Sequence, residues 1–478
     1  MSNTKRLSRI AVMTVSAESM LVWCRKLLGV EPRPPLTLDD YLATIPRLSA
    51  LDDLPPGTPV LVRGDVDAKP GPSIGDGDIR LRSMVPTLEH GRQHGWKQII
   101  LGHIGRKPEG SLKAVAARLS ELLKTPVPLG TDWLDEATLE VRPEVARQIA
   151  DSPAGSVLVL ENTRRYDIER VLWKAKPDEL AKLAPRLATF TNSLAARIAS
   201  HYVNEALSAG SLDTSTVIAP SGMRRAVLGS YVAGEFDGPM RRCLATELVV
   251  FSGLKIDKLD DLQAMIDRGS IRVVIAAGSL AMALKKAAAQ RDGGDFCLGV
   301  AEDPAYADKP YYIPPERVAQ ARRMIEAGRQ RGVEFVLPID FVLANGSVAE
   351  KLGPGDQQFD VGPKTSDLLH TRIGKFIDDV RGRKPPAVVF YNGVFGMFED
   401  PRFESGTRRF MAELKRLKDA GIEVYIGGGE GGTALEKYGQ PDWVTHVFTA
   451  GGTVLNALGS EPVPYLVALR LAARLDTC

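Results

Sequence analysis

The 478-residue chain has little of what usually announces a site at a glance. Its four cysteines, Cys24, Cys243, Cys297 and Cys478, are scattered and form no CxxC pair. That spacing argues against a disulfide framework or a cysteine-rich zinc site and suits a reducing cytoplasm. Histidines number only six, and His90, His94, His201, His370 and His446 read as surface or core residues without metal-ligand spacing. Net charge is +2, from 61 basic and 59 acidic side chains, so no excess of one sign points to nucleic acid or a membrane surface. No apolar run is long enough to cross a bilayer. Ile10–Val15, which follows Lys5, Arg6 and Arg9, is interrupted by Glu18 and then Arg25–Lys26. Residues 1–30 therefore read as a short amphipathic packing helix. Also missing are a repeat of fixed period, a GxSxG elbow and a Walker A lysine. Trp23, Trp96, Trp133, Trp173 and Trp443 read as packing residues rather than ligand-stacking ones.

What is there is an ordinary globular balance, 44% apolar and 25% charged, with 45 glycines and 32 prolines to supply loops. The length allows two or three domains. Short, β-branched apolar runs at Val60–Val62, Gln98–Leu101, Ser156–Leu160, Val273–Ala276, Glu334–Leu337, Ala387–Phe390 and Ile422–Ile426 predict buried strands. Helical spacing over Ser111–Leu123, Pro315–Gln330 and Thr407–Asp419 lies between them. Strand and helix alternating in this way predict parallel sheets covered on both faces, an α/β protein.

Such sheets bind ligands in the loops that follow their strands. Gly427–Gly429, between a strand and the helical pattern Thr433–Tyr438, can turn backbone N–H groups toward an anion, and Gly451–Gly452 repeats the device. In the first half, Arg63, Arg80, Arg82, His103, Arg106, Lys107, Arg164 and Arg165 cluster near the ends of predicted strands. Guanidinium forks match phosphate and carboxylate oxygens, so the set suits an anionic substrate. The residues alone thus give a basic, anion-binding half and a half with nucleotide-like glycine loops.

These motifs resemble, in order, those of the phosphoglycerate kinase family. VRGDVDAKPG is similar to VRVDFNVP, DIRLRSMVPTL to TRIRAALPTI, and GHIGRKP…SLKAVAARLSELL to SHLGRP…SLKPVAERLSELL. LVLENTR, VNEA, SGLKIDKL, EFVLPIDFV and FDVGPKT are similar to LLLENLR, VNDA, GGAKVSDKI, EIVLPVDVV and LDIGPKT. FYNGVFGMFE, YIGGGEGGTA and FTAGGTVL resemble VWNGPMGVFE, IVGGGDSAAA and STGGGASL, so the likeness spans roughly residues 55–470.

The resemblance implies two doubly wound, Rossmann-like parallel-sheet domains joined by a hinge helix near residues 233–247. It also implies phosphoryl transfer between ATP and the carboxylate of 3-phosphoglycerate, with a paralogous kinase for a different carboxylic acid, or a catalytically silent homologue that binds nucleotide or a partner, as the alternatives. Asp65, Asp67, Arg80, His103, Arg106 and Arg164 would bind the acid. Lys255, Lys258, Gly278, Asn392, Glu399, Gly427, Gly428, Gly429 and Glu430 would bind nucleotide, with Mg²⁺ on Glu430. Arg80, Lys255, Gly428 and Gly451 would stabilise the transferring group. The boundaries that follow are an extension over 1–48, an acid-binding domain over 49–236, a nucleotide-binding domain over 237–462, and a last segment, 463–478, packing back on the first. A cytoplasmic monomer that binds neither nucleic acid nor membrane completes the expectation.

Departures from the family pattern concentrate at the acid. Where the family carries GTAHRAHAST, with an arginine for the substrate phosphate, this chain has SAGSLDTST, Ser208–Thr216, and Asp213 adds a negative charge. A lost charge-assisted bond, worth roughly 1.5–3 kcal/mol, predicts about tenfold to a hundredfold weaker hold on that phosphate unless Arg224 or Arg225 compensates. Asp67 stands for asparagine, Glu430 for aspartate, Gly431 for a hydroxyl residue, Val394 for proline and Ala450 for glycine. Lys255 and Lys258 are one residue closer than usual, although i,i+3 still shares a helix face.

Overall fold

The computed structural model describes residues 14–31, 36–68, 76–253, 256, 258–459 and 462–475. The chain divides into two compact units, one running to Gly234 and resuming at Pro462, the other spanning Glu235–Glu461.

The first unit is built on a six-stranded parallel sheet. Its strands are β1 (Pro59–Gly64), β2 (Lys97–Leu101), β3 (Leu129–Gly130), β4 (Val157–Leu160), β5 (His201–Glu205) and β6 (Arg225–Leu228), in the order β3-β4-β2-β1-β5-β6. Helices cover both faces, so a strand such as β4 is buried along its whole length, which is why VLVL carries no alternation. The covering helix Lys113–Leu123 shows the complementary pattern, burying Val115, Ala116, Leu119 and Leu123 on one stripe. Helix Ala17–Leu27 packs on Leu180–Arg197, and Trp23 Nε1 donates to Val217 O at 2.9 Å. The last helix, Pro464–Leu475, packs on β6 and on the short helix Thr214–Val217.

The second unit repeats the plan with β7 (Thr246–Phe251), β8 (Val273–Ala276), β9 (Glu334–Val336), β10 (Val388–Asn392), β11 (Glu423–Gly427) and β12 (His446–Phe448), in the order β9-β8-β7-β10-β11-β12. All neighbours are parallel. A small antiparallel sheet, Phe341–Leu343 with Val348–Ala349 and Gln358–Val361, is an addition the strand–helix pattern did not predict.

In each large sheet the chain winds outward in one direction and then in the other. Strand order reverses between β1 and β5 in the first sheet, and between β7 and β10 in the second. At such a switch point the loops leave in opposite directions and open a crevice at the carboxyl ends of the strands.

Candidate functional site

At the first crevice, β1 leads into Asp65 and β5 into Ser208, and Ser208 Oγ donates to Asp65 Oδ1 at 2.6 Å across the gap. Arg80 enters from helix Asp76–Gln93; its Nη1 donates to Asp67 O at 2.7 Å, and its guanidinium lies 3.8 Å from the Asp65 carboxylate and 3.7 Å from that of Asp67. Asp67 also accepts from Gly105 N at 2.8 Å, tying the loop after β2 to the loop after β1. Arg106 and Lys107 are exposed in that second loop, and Arg82 on its helix. Arg165 points away to Glu161 at 3.9 Å.

Deeper in the crevice, Arg63, His103 and Arg164 meet around one carboxylate, Asp213. Arg164 Nη2 donates to Asp213 Oδ2 at 3.0 Å, His103 Nδ1 lies 3.1 Å from the same oxygen, and Arg63 Nη2 lies 3.8 Å from it. Trp173 Nε1 donates to Asp213 Oδ1 at 2.8 Å, while its ring lies 4.7 Å from the Arg164 guanidinium carbon. Burial works to raise the Asp213 pKa, but the bond to His103 and the charges of Arg164 and Arg63 outweigh it, holding the carboxyl well below its ordinary range. Burial lowers the His103 pKa, against the bond to Asp213, which raises it. Beneath them Glu169, also fully buried, accepts from Thr214 Oγ1, Ser215 N and Ser215 Oγ at 3.0, 2.9 and 2.6 Å. Burial and then the neighbouring Asp213 charge raise its pKa.

Arg224 and Arg225 do not compensate for the missing arginine. They lie at the opposite, amino end of β6, where Arg225 Nη1 donates to Ala50 O and Asp53 Oδ1 at 2.6 and 2.5 Å. Trp173 departs from the packing role expected of it, being 37% exposed with its indole N–H on Asp213. The reading of His90 and His94 is also corrected. Four residues apart on one helix face, they share Asp52, and ligand atoms of the three lie within 4.8 Å of one another at the surface.

At the second crevice, Asn392 ends β10, and its Nδ2 donates to Gly427 O at 2.7 Å. Its Oδ1 accepts from Lys258 Nζ at 2.7 Å, and the same ammonium donates to Ser252 O at 2.8 Å, joining the loops after β7, β10 and β11. Three helices begin at this edge, Gly278–Arg291, Gly429–Tyr438 and Gly451–Leu458. The second starts earlier than Thr433, because Gly428 takes φ +95° as its cap and lets the glycines themselves form the first turn. A Cβ on Gly451 would lie 2.8 Å from Gly428 Cα, and one on Gly278 only 2.5 Å from Gly253 O. The glycines therefore let backbone meet backbone, leaving helix N–H groups open to an anion. Glu430 is exposed in the first turn of its helix and Glu399 in the stretch after β10. Lys255 lies outside the described residues. A cleft of about 510 Å³ beside β9, lined by Lys285, Phe296, Phe335, Leu337 and Leu368 among others, shares no residue with these glycine loops.

Sequence reasoning placed most of these residues at strand ends but missed the inward-facing partners Trp173, Glu169 and Ser208. Only Asp213, as a change of charge, had a signal to follow.

A family model described as Phosphoglycerate kinase matches residues 51–461. The "Phosphoglycerate kinase, cytosolic" of Triticum aestivum is 30% identical over 436 residues, covering 86% of this chain and 95% of that one. The protein of the same description from Nicotiana tabacum is 28% identical over 410 residues, covering 82% and 90%. The crystal structure of phosphoglycerate kinase from Pyrococcus horikoshii OT3 shares the fold, with a TM-score of 0.68 at 22% identity, over 90% of this chain and 100% of that one.

Proposed function

Because the chain belongs to the phosphoglycerate kinase family, we propose that it transfers a phosphoryl group between ATP and the carboxylate of an acid, 3-phosphoglycerate in the relatives' reaction. The observation that carries this reading is the convergence of three helix N-termini on Lys258 and Asn392 at the switch point of the second sheet. Oriented N–H groups and one ammonium suit a polyphosphate, whose charge they meet without desolvating a carboxylate.

The acid's carboxylate is ionised at neutral pH, so transfer needs no general base. A carboxylate oxygen bonds to the γ-phosphorus, the bond to the β-phosphate oxygen breaks, and ADP leaves with that electron pair. No proton is transferred. Catalysis is then alignment and stabilisation of charge on the transferring group. Arg80 and Lys255 supply cationic donors, and Gly428 and Gly451 supply backbone amides. Removing one such donor costs ~3–4 kcal/mol of transition-state stabilisation. Asp65, Asp67, His103, Arg106 and Arg164 form the acid's crevice. Gly278, Asn392, Glu399, Gly427 and Gly429 shape the nucleotide's.

A magnesium ion fits the donor set. Glu430 is one exposed carboxylate in a helix's first turn, and Mg²⁺ typically takes one or two protein carboxylates, with substrate phosphates and water completing its shell. The ion would neutralise phosphate charge there.

The test is to incubate the protein with Mg-ATP and hydroxylamine, offering 3-phosphoglycerate and its unphosphorylated parent, D-glycerate, separately. Hydroxamate trapped from an acyl phosphate is expected, and it should fall in Arg80→Ala and without Mg²⁺. No hydroxamate from either acid, with Mg-nucleotide still bound, would overturn the reading. We read the protein as a cytoplasmic monomer as well, which light scattering on the purified chain checks for mass.

A further inference from the structure

Most carboxylates near a helix start accept from that helix's own N–H groups. Asp213 occupies the N-cap position of Thr214–Val217 and makes no such bond. Glu169 does the capping instead, accepting from Ser215 N and from both neighbouring hydroxyls. Asp213 is thereby released to turn inward. Fully buried, it takes a guanidinium N–H from Arg164 and the indole N–H of Trp173, with His103 and Arg63 against the same carboxylate. The surrounding structure holds this arrangement from several sides, through Trp23 on Val217 and the last helix on Thr214–Val217.

The consequence is electrostatic. Arg63, His103 and Arg164 stand at or beyond the carboxyl ends of β1, β2 and β4, where the sheet binds its ligand. Their anion is already part of the chain. Arg63 Nε is held by Thr216 Oγ1 at 2.8 Å and its Nη1 by Gly64 O at 2.5 Å, while Arg164 Nη1 is held by Gly105 O at 2.7 Å. Arg164 Nε remains buried without a partner. Those bonds leave a ligand's far end facing a buried carboxylate, to which a phosphate would bring two negative charges and a hydroxyl or an amide none.

We propose that Asp213 is an internal anion that fills the cationic pocket of the acid crevice. The chain then takes carboxylic acids whose far end is uncharged and oxygen-bearing, a hydroxyl or an amide, at least as well as phosphorylated ones. The inference rests on the reading of the chain as a carboxylate kinase for its catalytic part, and on the crevice alone for its binding part.

Two measurements test it. In the hydroxamate assay the wild-type chain should use D-glycerate with a kcat/KM at least equal to that for 3-phosphoglycerate. A preference of tenfold or more for the phosphorylated acid overturns the proposal. In calorimetric titrations, Asp213→Asn should bind 3-phosphoglycerate at least about tenfold more tightly than wild type, since the amide keeps the shape and removes the charge. Equal or weaker binding by the folded variant overturns it. If the variant does not fold, titration of the wild type with both acids decides, because tighter binding of the phosphorylated acid refutes an occupied pocket. If neither acid gives hydroxamate, the kinase reading fails and the titrations still decide the role of Asp213.

Discussion

Asn392 offers a quantitative test of how the second crevice is held. Its side chain is 4% exposed and makes two bonds, one donated to Gly427 O and one accepted from Lys258 Nζ, both at 2.7 Å. Asn392→Ala removes a neutral bond worth ~1 kcal/mol and a charge-assisted one worth ~1.5–3 kcal/mol. Lys258 is partly exposed and recovers some of its share from water, so a net loss of about 3 kcal/mol follows. For a unit of this size each kcal/mol moves the melting temperature by about 2–4 °C, giving a drop of about 6–12 °C. Calorimetry of the wild type, Asn392→Ala, Lys258→Met and the double variant separates the shared bond. Its coupling should be about 1–2 kcal/mol, since the residues touch. The KM for Mg-ATP should rise with the loss, because the Gly427 carbonyl no longer pins the glycine turn. A melting shift below 2 °C, with losses that simply add, would refute this account.

Three further outcomes follow from the geometry. Gly451→Ala should destabilise the protein by about 1–3 kcal/mol through its collision with the Gly428 backbone, whereas Gly452→Ala, where a Cβ meets nothing within 4 Å, should melt at or above the wild-type temperature. Burial pushes Glu205 and Asp360 up to about 7, so each binds its proton more tightly folded than unfolded. Stability should therefore fall as pH rises from about 5 through 7, by about 3 kcal/mol per group, and denaturant titrations at pH 5 and 8 measure the loss. Asp213 has the opposite sign, its pKa lying lower in the folded chain, so its contribution is lost at the acid end, below about pH 4, and Asp213→Asn should flatten that limb.

Where the sequence could be read, a dry environment had written it in apolar residues. β4 and β8 are short β-branched runs, and helix Pro315–Gln330 begins at its proline and ends where its spacing predicts. β5 was not predicted for the converse reason. His201, Asn204 and Glu205 make it look polar, yet all five residues are buried, because β5 lies inside the sheet between β1 and β6, and Glu205 at its carboxyl end accepts from Tyr231 N at 2.9 Å. The acid site was legible as a set of cations on loops and not as a charge balance. Nothing in the spacing of Arg63, His103, Arg164 and Asp213 says that the carboxylate turns away from its helix to join them; that depends on Glu169, 44 residues earlier in the chain, replacing it at the cap.

The return of the chain to its first unit sets the order in which the two units can finish folding. Tyr465, Leu466, Ala468 and Leu469 are buried against β6 and the helix beside Asp213, so the first unit lacks one wall until the last helix is made. A ribosome produces Glu235–Glu461 as an unbroken segment, able to collapse while the chain is still attached. The N-terminal crevice, although its strands emerge first, is the part that must wait, and a chaperone that recognises exposed apolar sheet has the whole translation of the second unit in which to meet it.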